Sequence, residues 1–215
     1  MKVTFDYPRP GSAEIMALAR HSSATVHEAL PAPGVFHTAI KPIVRGMKVC
    51  GPALTVECPK GDNLMIHVAM AGAQPGDLLV VDHEASMEDG PFGEVMSTSC
   101  RARGIAGLVI DGCVRDSAEI DVLGFPVFAR GLCIRGTVKK QTGTIGQTIR
   151  CGGVTVNPGD IVLGDDDGLV LVPRDQLTAA IAAADKRVAN EAAAMEKLRT
   201  GITTMDLFGL KLPGA

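Results

Sequence analysis

Apolar and polar positions along the chain follow two periods, and the switches between them mark its elements. Met47–Glu57 reads as a strand, and Leu78–Val81 and Ile105–Asp111 are short apolar runs of the kind carried by strands buried on both faces. Elsewhere the spacing turns helical. Ile15, Leu18 and Ala19 predict a helix over Gly11–Arg20 capped by Ser12, and Ser23–Leu30 predicts another, ended by Pro31-Ala32-Pro33-Gly34. The turn Pro59–Asn63 supplies an Asp or Asn cap for a helix running to Ala73, and Gln74–Asp77 is a second turn. After a loop over His83–Gly90, a helix is expected from Phe92 or Gly93 to Arg103, stopped at Gly104. Asp116–Gly124 reads as a short helix and Pro126–Ala129 as a strand.

Alternating strands and helices predict an α/β fold with parallel strands. A dinucleotide-binding unit would also need a Gly-rich phosphate turn, and none is present. Arg130–Val172 changes to short segments broken by Gly, Asn-Pro-Gly-Asp and Asp-Gly clusters, and reads as mostly β. Asp175–Arg199 is the clearest helix, with Asp175 as its cap, Gly201 as its stop, and Leu177, Ile181, Ala184, Val188 and Met195 on one face. No repeat or low-complexity linker divides residues 1–215, so one domain is expected.

Composition narrows the function classes. The 215 residues are 46 % hydrophobic and 21 % charged, ample for one core. A net charge of −3 offers no basic field for phosphate backbones, and an aromatic share of 3 % supplies little base stacking, so nucleic acid is not an expected partner. The six cysteines form no C-x-x-C pair, the start MKVTFDYPRP lacks a signal-peptide core, and no apolar run is long enough to cross a bilayer. A cytoplasmic protein with reduced thiols, and no membrane partner, is expected.

The candidate chemistry centres on Arg115-Asp116. Asp116, three residues before Glu119, has the spacing of a helix cap. It also lies just past the carboxyl end of a buried strand, where α/β folds place their sites, and an Arg beside an Asp offers a cation for an oxyanion and a carboxylate for a metal. Both readings stand. Glu94 is either an acidic first-turn residue favoured by the helix dipole or a second site carboxylate, and the amides of Val95 and Met96 behind it are free to bind a substrate carboxylate. Glu191 falls within about 40° of the apolar stripe through Ile181, Val188 and Met195, whereas Glu196 lies about 100° away. A carboxylate on such a stripe needs a partner: an Arg, a metal-bound water or another subunit. His67 reads as a core residue. Without zinc-type His spacing, a hard cation with oxygen ligands is favoured. Asp165-Asp166-Asp167-Gly168 reads as a turn. No Lys sits in an apolar strand for Schiff-base chemistry, and there is no G-x-S-x-G elbow.

Gly61-Asp62-Asn63 with His67, Phe92-Gly93-Glu94, Gly107–Asp116, Phe125–Phe128, and Val156–Asp160 through Gly168 together resemble the RraA-like family. The likeness, over residues 12–210, is to its 4-hydroxy-4-methyl-2-oxoglutarate / 4-carboxy-4-hydroxy-2-oxoadipate aldolase branch. That branch carries an acidic residue, twenty intervening residues, then Arg-Asp, and Glu94 to Arg115-Asp116 keeps the spacing, with Glu where Asp is typical. In ribonuclease-regulating members that position is typically Gly.

The resemblance implies a swivelling β/β/α single domain, assembled as a homotrimer or homohexamer with sites between subunits and helix 175–200 packing on a neighbour. It implies a class II aldolase that cleaves a 4-hydroxy-2-oxo acid to pyruvate and a carbonyl product, with secondary oxaloacetate decarboxylase activity. Asp116 would bind Mg²⁺ or Mn²⁺, Glu94 would hold its waters, Arg115 would face the pyruvoyl C2 oxygen, and the amides around Gly93–Met96 would hold its carboxylate. A C-terminal glutamate, Glu191 by the face argument and otherwise Glu196, would serve the neighbouring site. The alternative is a non-catalytic regulator of a ribonuclease or another protein.

Overall fold

The computed structural model describes residues 2–31 and 34–213. Ala32 and Pro33, in the expected helix stop, therefore lie outside the described residues. In chain order the elements are α1 (Ser12–Leu18), α2 (Ser23–Ala29), β1 (Gly34–Val35), β2 (Lys41–Pro42), β3 (Val49–Glu57), α3 (Leu64–Gly72), β4 (Leu78–Ser86), α4 (Glu94–Ala102) and β5 (Gly107–Val114). There follow α5 (Ser117–Leu123), β6 (Val127–Ala129), β7 (Gly131–Leu132), β8 (Ile149–Cys151), β9 (Val154–Val156), β10 (Ile161–Asp165), β11 (Gly168–Val172), α6 (Leu177–Arg199) and α7 (Thr204–Phe208).

The main sheet runs β1-β11-β10-β3-β4-β5-β6-β2, with β7 pairing on β5. Its centre, β3-β4-β5-β6, is parallel, and α3, α4 and α5 make the crossovers. β10 joins β3 antiparallel and pairs with β11, which pairs with β1. Every residue of β5 is buried, which explains why Leu108, Val109 and Ile110 read as an unbroken apolar run. Leu108 and Ile110 pack with Leu54, Leu79, Met65, Phe92 and Phe125 beneath the crossover helices. Val109 faces the other way, onto Val80, Phe128, Ile149 and Val156 beneath the hairpin β8–β9. A third cluster seats α1, α2 and α6 on β10 and β11 through Leu18, Val26, Ile161, Val170, Leu177 and Ala184.

Several boundaries differ from the sequence expectation. The cap of α1 is Gly11, not Ser12, and the Gly11 amide donates to Glu14 Oε2 at 3.3 Å. Asp175 falls inside a 3-10 turn, Arg174–Gln176, and Gln176 takes the cap position of α6. β4 continues through the expected loop because Glu84 and Ala85 adopt left-handed backbone (φ 54° and 53°) and bulge the strand between Asp82 and Ser86. Residues 133–148 carry only isolated bridges, at Val138 and Ile145, so Arg130–Val172 is β mainly in its second half. The apolar stripe of α6 is buried at Leu177, Ala180 and Ala184 but emerges at Val188 and Met195. Among the described residues, no helix is long and apolar enough to cross a membrane.

The N-terminal segment is fastened across the turn before β4. Arg9 donates from Nε and Nη2 to the two oxygens of Asp77 at 2.7 and 3.0 Å, and its guanidinium lies 3.8 Å from the centre of the Tyr7 ring. Because the Asp77 side chain is fully buried, Arg9→Ala strands a carboxylate in the interior. The expected loss is about 3 kcal/mol of unfolding free energy, measured by urea denaturation; a loss under about 0.5 kcal/mol would show that the strap is dispensable.

Candidate functional site

Parallel β5 ends at Val114, and the next two residues bring it to the start of α4. Arg115 donates its amide to Phe92 O at 2.9 Å. Asp116 takes a left-handed conformation (φ 58°, ψ 42°) and occupies the cap position of α5, where its carbonyl accepts from the Ile120 amide at 3.0 Å but its side chain makes no bond to that helix. Its Oδ2 instead accepts from the amide of Glu94, the first residue of α4, at 3.0 Å. The Asp116 side chain is therefore a cap of the helix that starts 22 residues earlier in the chain. Gly93 makes this approach possible, since a Cβ there would overlap Asp116 Oδ2.

The arrangement leaves three kinds of group on one surface. The α4 amides of Val95 and Met96 lie in a first turn, where N–H groups have no helical acceptor and attract anions. Arg115 Nε lies 3.8 Å from Asp116 Oδ2, with both side chains partly open to solvent. Among the described residues the Glu94 carboxylate makes no hydrogen bond or ion pair, and Asp116 Oδ1 accepts none. The structure thus brings Gly93, Glu94, Val95, Met96, Arg115 and Asp116 together.

A second wall was less visible in the sequence. Asn63 Nδ2 donates to Pro91 O at 2.8 Å and approaches Met96 Sδ at 3.7 Å, while its Oδ1 is buried without a partner. His67, one turn along α3, also has a buried, unpartnered Nε2. Burial and the nearby Lys139 cation lower its pKa and favour the neutral ring. The sequence marked Gly61-Asp62-Asn63 only as a turn that caps α3 and carries the family resemblance, and His67 only as a core residue; in the structure His67 is half-buried. Buried Asp62 holds the 138–141 segment here by accepting from the amides of Lys140 and Gln141 at 2.7 and 2.9 Å. Burial raises its pKa, but these bonds and those from the amides of Leu64 and Asn63 outweigh that and leave it below the usual value.

Glu191 stands elsewhere. α6 packs on α1, α2 and α7, and Glu191 Oε1 pairs with Arg187 Nη2 at 2.8 Å, the same guanidinium that meets Glu28. Glu196 pairs with Arg199. Among the described residues no group of three His, Cys, Asp or Glu side chains is arranged to hold a metal, so one chain does not join Glu191 to Asp116 and Glu94. The Asp165–Gly168 run is a β10–β11 turn, as expected. Asp165 accepts from Ser23 Oγ and N at 2.6 and 2.8 Å, and Asp166 accepts from the Gly46 amide at 2.7 Å.

The family described as RraA-like, Aldolase/RraA, matches residues 23–171, a span that contains both walls and both carboxylates. The chain belongs to the RraA-like family. A relative from Halalkalibacterium halodurans, named provisionally as a 4-hydroxy-4-methyl-2-oxoglutarate aldolase, is 38 % identical over 156 residues, covering 73 % of this chain and 74 % of that protein. A Streptomyces coelicolor structure, RraAS2, described as an unusual member of the RNase ES inhibitor RraA protein family, superposes with TM-score 0.79 at 28 % identity, covering 88 % of this chain and all of that one. A Pseudomonas syringae protein of unassigned function shares the fold with TM-score 0.85 at 23 % identity, over 96 % of this chain and 98 % of that one. Among these RraA-like relatives, the names thus include both an aldolase and a ribonuclease inhibitor family.

Proposed function

We propose that this chain is a divalent-metal-dependent pyruvate aldolase acting on a 4-hydroxy-2-oxo acid such as 4-hydroxy-4-methyl-2-oxoglutarate or 4-carboxy-4-hydroxy-2-oxoadipate. The observation that carries the reading is the Asp116 carboxylate fixed at the N-terminus of α4 beside Arg115, with one oxygen on the Glu94 amide and the other free. The aldolase relative at 38 % identity supports it. The donor set suits Mg²⁺ or Mn²⁺, which keep several waters and need only one or two carboxylates from the protein. Asp116 would hold the ion directly and Glu94 through its waters.

A bound ion of this kind supplies Lewis-acid stabilisation to the C2 oxygen. Arg115 directs its guanidinium to that same oxygen, where negative charge develops as the C3–C4 bond breaks and its electron pair passes into an enolate. The amides of Val95 and Met96 bind the adjacent carboxylate and set the pyruvoyl plane. The C4 hydroxyl gives its proton to a water molecule as the carbonyl product forms, and a proton returned from water to C3 of the enolate then gives pyruvate. Loss of carbon dioxide from oxaloacetate passes through the same enolate, so decarboxylation is expected as a side activity.

A homotrimer or homohexamer would bring Glu191 of a second copy to this site. Val95, Val122 and Ile134 are 82 %, 90 % and 94 % exposed, and contact with another copy would cover such apolar side chains. The test is metal removal. With a coupled pyruvate assay, chelation is expected to abolish product release from 4-hydroxy-4-methyl-2-oxoglutarate, and Mg²⁺ or Mn²⁺ to restore it. A flat trace with several 2-oxo acids and either metal would discard the reading in favour of a regulator, the role suggested by the likeness to RraAS2.

A further inference from the structure

His83 is fully buried, and both of its ring nitrogens face oxygen. Nδ1 lies 2.9 Å from Cys58 O and Nε2 lies 2.8 Å from Asp89 Oδ1. Asp89 is buried too and accepts further bonds, from Ser86 Oγ at 3.2 Å and from the Gly61 amide. The strand bends to make this pairing possible. Left-handed Glu84 and Ala85 turn β4 back after His83, and Asp82 Oδ1 secures the bend by accepting from the Glu84 amide at 3.0 Å. Neither residue is Gly, so the bulge carries a backbone cost that surrounding contacts must offset. Opposite, Gly112 of β5 leaves room for the imidazole, since a Cβ there would lie 2.9 Å from His83 Cδ2.

What Asp89 holds is the chain on either side of the candidate site. Through Gly61 it fixes the turn that opens α3 and carries Asn63. The next residue, Gly90, donates to Arg135 O at 2.8 Å and passes so close to the end of β5 that a Cβ would lie 3.3 Å from both the Val114 carbonyl carbon and Arg115 Cβ. Two residues further, Phe92 O accepts the Arg115 amide. One buried carboxylate thus ties together the Asn63 turn, the entry to α4 and, through Gly90, the backbone under Arg115.

We propose that His83 and Asp89 are a positioning pair that sets the Asn63 turn and the α4 entry against Arg115, and so the spacing of the groups that grip the substrate. The catalytic consequence rests on the aldolase reading; the positioning itself does not. Asp89→Ala removes the common acceptor, whereas Asp89→Asn keeps the shape. In the Asn variant Oδ1 accepts from the Gly61 amide, and Nδ2 donates to His83 Nε2 once that nitrogen carries no proton.

The full-length variants are compared by pyruvate release and by amide hydrogen exchange. Asp89→Ala is expected to lower kcat at least about tenfold and to speed exchange at Gly61, Gly90 and Glu94 while Leu54 and Ile110 stay protected. Asp89→Asn is expected to return both measurements to within about threefold of the parent. Unchanged exchange at those three amides in the Ala variant would overturn the proposal, as would exchange rising equally across β3–β5, the mark of a pair that only stabilises the sheet. Should Asp89→Ala not fold, Ser86→Ala removes one bond to Asp89 and decides in its place: faster exchange confined to Gly61 and Gly90 supports the pair, and none overturns it. If the parent protein releases no pyruvate, the aldolase reading fails alone, because exchange reports positioning without turnover.

Discussion

Arg115→Ala is expected to lower kcat for pyruvate release by about 10²–10³-fold, the usual effect of removing a group aimed at a developing oxyanion. The fold should be indifferent to the change. The Arg115 side chain is half exposed, and its ion contact is the 3.8 Å approach to Asp116. A thermal midpoint within about 2 °C of the parent is therefore expected. Arg115→Lys should recover only part of the loss, because an ammonium lacks the planar fork of a guanidinium. Steady-state kinetics with a melting curve measure both halves of the expectation. Full activity in the Ala variant would end the role assigned to this residue.

Gly93→Ala should be as damaging, although the substitution adds only one methyl group and removes no functional group. The backbone at Gly93 is extended (φ −157°, ψ −164°) and open to any residue, so the obstacle is space. An added Cβ overlaps Asp116 Oδ2 and lies 3.0 Å from Arg115 Cγ. Asp116 must swing away, releasing the Glu94 amide and moving the carboxylate from its place beside Arg115. An activity loss of about 10²-fold is expected, since misplacement by about 1 Å has that effect. Weaker Mn²⁺ binding, measured by calorimetry, should accompany it. Overpacking of this kind costs about 1–3 kcal/mol, so the variant should fold and can be assayed. Unaltered Mn²⁺ affinity would show that the Asp116–Glu94 contact does not place the ion.

What the sequence revealed and what it hid divide along the range of the interactions. Leu78–Val81 and Gly107–Ile110 announced themselves because both faces of those strands are buried, and burial on both faces writes an unbroken apolar run. Gly104 and Gly201 marked helix ends through positive φ, 72° and 93°, a local requirement that composition exposes. Asp116 was legible as the residue at the cap position of α5, which it occupies, but its side-chain bond to the Glu94 amide was not, because a side chain that bridges 22 residues leaves no periodic trace. His83 and Asp89 were passed over as loop residues for a related reason. The bulge that pairs them uses Glu84 and Ala85 in left-handed backbone, where a reader looks for Gly or Asn. Glu191 was picked out as a carboxylate near an apolar stripe and so as one in need of a partner. Its partner within one chain is Arg187, and that stripe leaves the protein body beyond Ala184.

The bond from Asp116 to the Glu94 amide also bears on how this scaffold can change its substrate. It welds the carboxylate that would hold the ion to the helix that would grip the pyruvoyl end, so neither moves without the other and both resist variation. The opposite end has no such weld. Residues 138–141 have little regular structure and are moored by Asp62 and by backbone bonds to Gly61 and Asn63, so Lys139 can be exchanged without disturbing Arg115, whose neighbours Gly90 and Val114 are bonded instead to Arg135 and Cys133. Directed evolution toward new acceptor aldehydes and ketones should therefore find its productive changes on that segment, while the pyruvate half stays fixed.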